Sequence, residues 1–91
     1  MIARLMRVHG RVQGVGYRYA MEDQAQLLGL AGWVRNRLDG TVEAHAQGPA
    51  DAVQALVDWA HRGPAHAQVS KVEVTDTSPT HETRFLRLPT A

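Results

Sequence analysis

An α+β sandwich with its elements in the order β-α-β-β-α-β, with room in that pattern for one short extra strand, is what this sequence predicts. Three observations point there. Apolar residues alternate with period 2 in several stretches, and these are separated by two stretches of helical period. Each change of period falls at glycine or proline. The 91 residues, 44% hydrophobic and 21% charged, suffice for one ordinary globular core and are too few for a catalytic unit with a separate cofactor domain. The order places two helices on one face of an antiparallel sheet, the ferredoxin-like α/β sandwich. That fold hosts many activities, so function must be argued from a site.

Residues 3–12 read as a strand in which Met6, Val8, Gly10 and Val12 alternate with Arg7, His9 and Arg11. The glycine-rich loop Gln13-Gly14-Val15-Gly16 follows. Over residues 17–28 the period turns helical, with Tyr17, Met21, Ala25 and Leu28 on one stripe and Gly29 as the stop. Strands over 31–37, with Trp33 and Val34, and over 41–47 flank the turn signal Asp39-Gly40 and form a hairpin. In the second, Val42, Ala44 and Ala46 share one face; Glu43, His45 and Gln47 share the other. Gly48-Pro49 breaks this strand, and Pro49 suits the start of a helix. Val53, Leu56, Val57 and Ala60 form that helix's stripe, which runs to Arg62 and stops at Gly63-Pro64. A strand over 67–76 carries Val69, Val72 and Val74. Its step from Val69 to Val72 breaks alternation, as a bulge or a late strand start would. Ser78-Pro79 turns the chain, and residues 84–88 make a short last strand at or near an edge.

Nine Arg and one Lys oppose nine acids, and a net charge of +1 is no polycation for nucleic acid. The charge is uneven. Residues 1–37 hold six Arg against Glu22 and Asp23, whereas residues 38–91 hold four bases against seven acids. An anion site is therefore sought in the first third. The absence of cysteine excludes disulfides, thiolate catalysis and zinc sites built on Cys. No apolar run approaches the roughly 20 residues that span a bilayer. The N-terminal MIARLMRVHGR is too broken by Arg for a signal peptide, so the expected location is the cytoplasm.

Gly10 to Arg18, GRVQGVGYR, carries the chemistry. Gly14 and Gly16 can take positive φ and turn successive N–H groups inward as a nest. The loop leads into a helix N-terminus, whose first amides lack partners and carry positive partial charge. Together these favour a phosphate-like anion; a tight turn that binds nothing would use the same glycines. Arg18 in the first helical turn opposes the dipole unless an anion sits between it and the amides, and guanidinium matches phosphate oxygens with two parallel N–H bonds. A solvated arginine is the plainer alternative. Tyr19 stands where a dinucleotide fingerprint wants its third glycine, and no Gly-Lys-Ser/Thr follows. Asn36, the chain's one asparagine, either begins the hairpin turn or uses its carboxamide to hold a water in fixed orientation.

These residues resemble the acylphosphatase family. GRVQGVGYR is similar to its phosphate-loop signature, with Val8 and Gly10 in register. GWVRN (Gly32 to Asn36), followed by Gly40, Val42 and Gly48, is similar to its second. The likeness runs from about Arg4 to Leu88, so residues 1–91 are expected to form a single domain of that type. One departure is Tyr17, where the family usually has Phe; its ring is expected to pack under the loop and its hydroxyl needs a partner or solvent.

The resemblance implies hydrolysis of the carboxyl-phosphate bond of small acyl phosphates. It gives Arg18 the phosphate, with Gln13, Gly14, Val15, Gly16 and Tyr17 as the binding loop, and gives Asn36 the attacking water. It implies a small cytosolic monomer needing no metal or cofactor, with inorganic phosphate as product and competitive inhibitor and no nucleic-acid or membrane partner.

The five histidines, His9, His45, His61, His66 and His81, show no ligand spacing on a common element and read as surface or structural residues. Trp33 and Trp59 read as packing residues, and Glu22 and Asp23 as a solvated helical face. An RNA-binding module shares the element order but needs stacking aromatics on its central strands; residues 41–47 have none, and the one Phe is Phe85. A small-molecule-sensing regulatory domain and an inactive relative kept for protein contacts are the other rivals.

Overall fold

The computed structural model describes residues 1–91. Its elements are β1 (Ile2–Arg11), α1 (Tyr17–Leu27), β2 (Ala31–Asn36), β3 (Val42–Gly48), α2 (Ala50–Arg62), β4 (Gln68–Thr77) and β5 (Phe85–Arg87). They form one five-stranded sheet in the order β4-β1-β3-β2-β5, with both helices packed on it. This is the ferredoxin-like sandwich the periodicity predicts. No helix is long and apolar enough to cross a membrane.

The sheet is mixed, which corrects the expectation of a purely antiparallel one. β1 pairs antiparallel with β3 and β4, and β2 with β3, but β5 runs parallel to β2 with Gly32 opposite Phe85. The cause is the connection. β4 ends at the edge of the sheet where β3 also ends. Residues 78–84 cross there without turning back, so β5 begins where β2 begins and must run the same way.

The alternating residues bury as their period requires. Met6, Val8 and Val12 of the first strand and its extension, and Val42, Ala44 and Ala46 of β3, are all inaccessible. Tyr17, Met21 and Ala25 meet them from α1, and Val53, Leu56, Val57 and Ala60 from α2. α2 has Asp51 in its first turn and Arg62 in its last, each favourable to the helix dipole.

Two further details differ from or sharpen the sequence reading. The β4 irregularity is a bulge: His9 pairs Lys71 but Gly10 pairs Val69, which leaves Ser70 as the extra residue. Gly10 is needed opposite it, because a Cβ there would lie 2.1 Å from the Gln68 carbonyl oxygen. The second face of β3 is also covered at its end, with His45 and Gln47 each only 3% exposed. Gln47 Nε2 donates to the carbonyls of Thr80 and Glu82, its Oε1 accepts from Thr80 N–H, and Trp33 stacks on His45 at 6.1 Å. The 78–84 crossing that makes β5 parallel thus also covers Gln47, while Trp33 covers His45.

Candidate active site

β1 ends at the same edge of the sheet at which β2 ends and β3 starts, so the 12–16 loop and the β2–β3 hairpin meet there. Gly14 has φ 74° and Gly16, the N-cap of α1, has φ 79°. Non-glycine residues rarely adopt these values, so the loop curls in a way that a Cβ would oppose. The first N–H of α1 to find a carbonyl is that of Ala20, which donates to Gly16 at 3.0 Å. The amides of residues 14–19 bond to no protein acceptor, and two left-handed positions within the run give them the form of a nest.

Arg18, the second residue of α1, is half-buried and pairs with no carboxylate. Arg4 pairs with Asp76, Arg87 with Glu22 and Arg7 with Asp39, while Arg7, Arg35 and Arg37 share Glu43; Arg11, Arg62 and Arg84, like Arg18, pair with no carboxylate. The Arg18 charge is therefore left for an external anion, next to a helix N-terminus that adds potential of the same sign.

Asn36 is the last residue of β2 and lies inside the strand, opposite Val42; the turn comes later, at 38–40. Its reading as the start of the turn is thereby set aside. It shares the helix-facing side of β2 with buried Val34. Its Oδ1 is buried and no protein group donates to it. Buried polar atoms are paired in roughly nine cases out of ten, so an open acceptor here is an uncommon feature.

Gln13 brings these parts together. Its Nε2 donates to the Arg37 carbonyl at 2.8 Å and the Thr41 carbonyl at 2.9 Å. Sequence reasoning placed Gln13 in the loop and missed this use of its side chain. The available signal was a lone polar residue with two amide hydrogens in a run of Val and Gly.

Tyr17 packs against the C-terminal end of α2, 1% exposed and with its ring 5.4 Å from that of Trp59. Its hydroxyl finds the partner it needs, donating to the Ala60 carbonyl at 2.8 Å. Four residues beyond Ala60 stands Pro64, which has no N–H, so the tyrosine replaces a helical bond that proline cannot make. Burial raises the Tyr17 pKa and keeps the phenol neutral.

The histidines are scattered. His9 pairs with Glu73, His45 with Gln47, and His61 Nδ1 with the Val57 carbonyl; no three of the His, Asp and Glu side chains converge as a metal would require. A depression on the helix-free face is lined by Arg7, His9, Glu43 and Glu73, in which Arg7 pairs with Glu43 and His9 hydrogen-bonds Glu73. A second, lined by Arg11, Gly14, Val15, His66 and Gln68, flanks the glycine loop and holds no acid.

With this geometry in view, residues 5–86 match the model of the acylphosphatase family. An acylphosphatase from an Azoarcus species is 56% identical over 90 residues, 99% of this chain and 92% of that protein. The crystal structure of acylphosphatase from Bacillus subtilis superposes with TM-score 0.94 at 40% identity, covering 97% of this chain and 99% of that one. An acylphosphatase from Coxiella burnetii gives TM-score 0.92 at 33% identity, over 96% of this chain and 92% of that one.

Proposed function

Because the chain belongs to the acylphosphatase family of enzymes, we propose that it hydrolyses the carboxyl-phosphate bond of small acyl phosphates to carboxylate and inorganic phosphate. The observation that carries the reading is the pairing of unspent donors with an unspent acceptor at one edge of the sheet. The amides of the loop and Arg18 are free to donate, and Asn36 Oδ1 is free to accept.

An acyl phosphate is a mixed anhydride. Its leaving carboxylate belongs to an acid of pKa about 4 and departs without protonation, so no general acid is required. What remains is to hold the phosphoryl group, stabilise its charge and align a water. The amides of residues 13–18 and the Arg18 fork supply fixed donors to the phosphoryl oxygens. The Asn36 carboxamide accepts a hydrogen from the water and fixes its approach. The water attacks phosphorus, the bond from phosphorus to the carboxyl oxygen breaks with its electrons on that oxygen, and the water's proton passes to a phosphoryl oxygen. This route explains why neither motif contains a base.

On the same reading residues 1–91 act as one domain, a cytoplasmic monomer without metal or organic cofactor, and without nucleic-acid or membrane partners. Inorganic phosphate competes with substrate and chelators have no effect. The test is turnover of benzoyl phosphate. Wild-type protein hydrolyses it, Arg18→Ala does not, and Asn36→Ala lowers kcat while inorganic phosphate still inhibits at a similar concentration. Equal turnover by wild type and Arg18→Ala refutes the reading.

A further inference from the structure

We infer that the Gln13 side chain is a positioning residue for this reaction: it fixes the phosphate loop against the hairpin that carries Asn36, and so sets the distance between bound phosphoryl group and oriented water. The inference rests on the reading of Asn36 given above.

A primary amide has two N–H hydrogens, and Gln13 directs both at backbone carbonyls, Arg37 at 2.8 Å and Thr41 at 2.9 Å. It therefore has no hydrogen left for a phosphoryl oxygen, and its contribution must be made through others. The two carbonyls stand on opposite arms of the hairpin tip, which Arg37 N–H to Thr41 O closes at 2.8 Å. Arg37 directly follows Asn36. No other hydrogen bond joins residues 13–18 to residues 36–41, so one side chain links the cradle to the water holder.

The far side of this link is stiff. The Asp39 carboxylate accepts from Thr41 N–H at 3.0 Å and from Thr41 Oγ1–H at 2.6 Å, and Arg7 reaches its other oxygen at 3.3 Å. Glu43 accepts from Arg35 at 2.9 Å and from Arg37 at 3.4 Å, the residues on either side of Asn36. A tip braced in this way moves as a block. Loss of the Gln13 bonds lets that block and the loop drift relative to each other without melting either. Misplacement by about 1 Å at a reacting centre costs on the order of 100-fold in rate.

The experiment is a double-mutant cycle on benzoyl phosphate hydrolysis. Gln13→Met keeps the length of the side chain and removes both donors. It is expected to lower kcat roughly 10- to 100-fold, with KM and inhibition by inorganic phosphate changed by no more than about threefold. In the Asn36→Ala background, where no carboxamide is left to misplace, the same substitution is expected to lower kcat by less than about threefold. Gln13→Asn, which retains the donors one methylene short, falls between wild type and Gln13→Met and serves if the methionine variant does not fold. Equal factors in the two backgrounds mean a merely structural role and overturn the inference, as does wild-type kcat in both Gln13 variants. If Asn36→Ala itself leaves kcat unchanged, the reading of Asn36 fails and takes this inference with it. A cost at Asn36 that simply multiplies with the cost at Gln13 sinks the inference alone.

Discussion

Replacing Tyr17 by Phe removes one oxygen atom and leaves a buried helix carbonyl without a partner. In the wild type the hydroxyl donates to Ala60 O at 2.8 Å, and Ala60 is fully buried. Pro64 provides no N–H for that carbonyl, and Gly63 N–H is already spent on Trp59 O at 2.9 Å. A buried hydrogen bond contributes about 0.5–1.5 kcal/mol net, and an acceptor left unsatisfied costs about 1–3 kcal/mol. Relief from burying the hydroxyl offsets part of this, so Tyr17→Phe is expected to lose about 1–2 kcal/mol. For a chain of this size that is a fall in Tm of roughly 5–15 °C. Thermal unfolding followed by circular dichroism at neutral pH measures it. The pH dependence provides a second signature. Burial raises the Tyr17 pKa above its unfolded value of about 10, so the neutral phenol stabilises the fold fully below pH ~10. That contribution drains away as pH rises from there towards the folded pKa. Phenylalanine has nothing to ionise, so the gap in Tm between the two proteins should close above pH ~10. A Tyr17→Phe protein with wild-type Tm at neutral pH, or a gap unchanged in alkali, would show that the Tyr17–Ala60 bond does not cap α2.

Arg18→Lys should lose most of the activity, about 100-fold or more in kcat/KM, because a point charge cannot reproduce the planar fork; near-wild-type steady-state kinetics would remove Arg18 as the phosphate clamp. Gly10→Ala should destabilise by about 2–4 kcal/mol, since its Cβ would meet the Gln68 carbonyl at 2.1 Å where φ is 119°, and chemical denaturation with an unshifted midpoint would contradict the bulge. The Thr41 hydrogen bonds, and after them Arg7, hold the Asp39 carboxyl below the ordinary carboxylate range. Its brace on the hairpin tip is therefore complete above the unfolded pKa of about 4 and is lost as pH falls below that. The protection of the Thr41 amide, its exchange rate relative to the unfolded chain at the same pH, should fall on acidification in the wild type and be low at every pH in Asp39→Ala.

Much of the site was legible from residue order alone. Gly14 and Gly16 announce left-handed backbone because no other residue takes it cheaply, and Arg18 two residues later faces the wrong end of a helix dipole unless an anion is shared. These are local properties, written within nine residues. The alternation of Met6, Val8 and Val12, and of Val42, Ala44 and Ala46, marks the buried face of each strand for the same reason, because a period depends only on neighbours. The step from Val69 to Val72 already carried the bulge, though not the residue that would be extra.

What residue order determined by itself was the list of elements, the side of each that is buried, and the left-handed glycines of the loop before α1. Tertiary structure alone decided how segments far apart in the chain meet. The parallel pairing of β5 with β2 follows from where β4 ends in space, and the burial of Gln47 from the crossing that results. Asn36 became an open buried acceptor, not a turn residue, only once β2 ran its full length against β3. The bonds from Gln13 to Arg37 and Thr41, and from Tyr17 to Ala60, span dozens of residues. No period or propensity encodes them, because a hydrogen bond between distant groups exists only when the packing of the whole sheet has already brought them within reach.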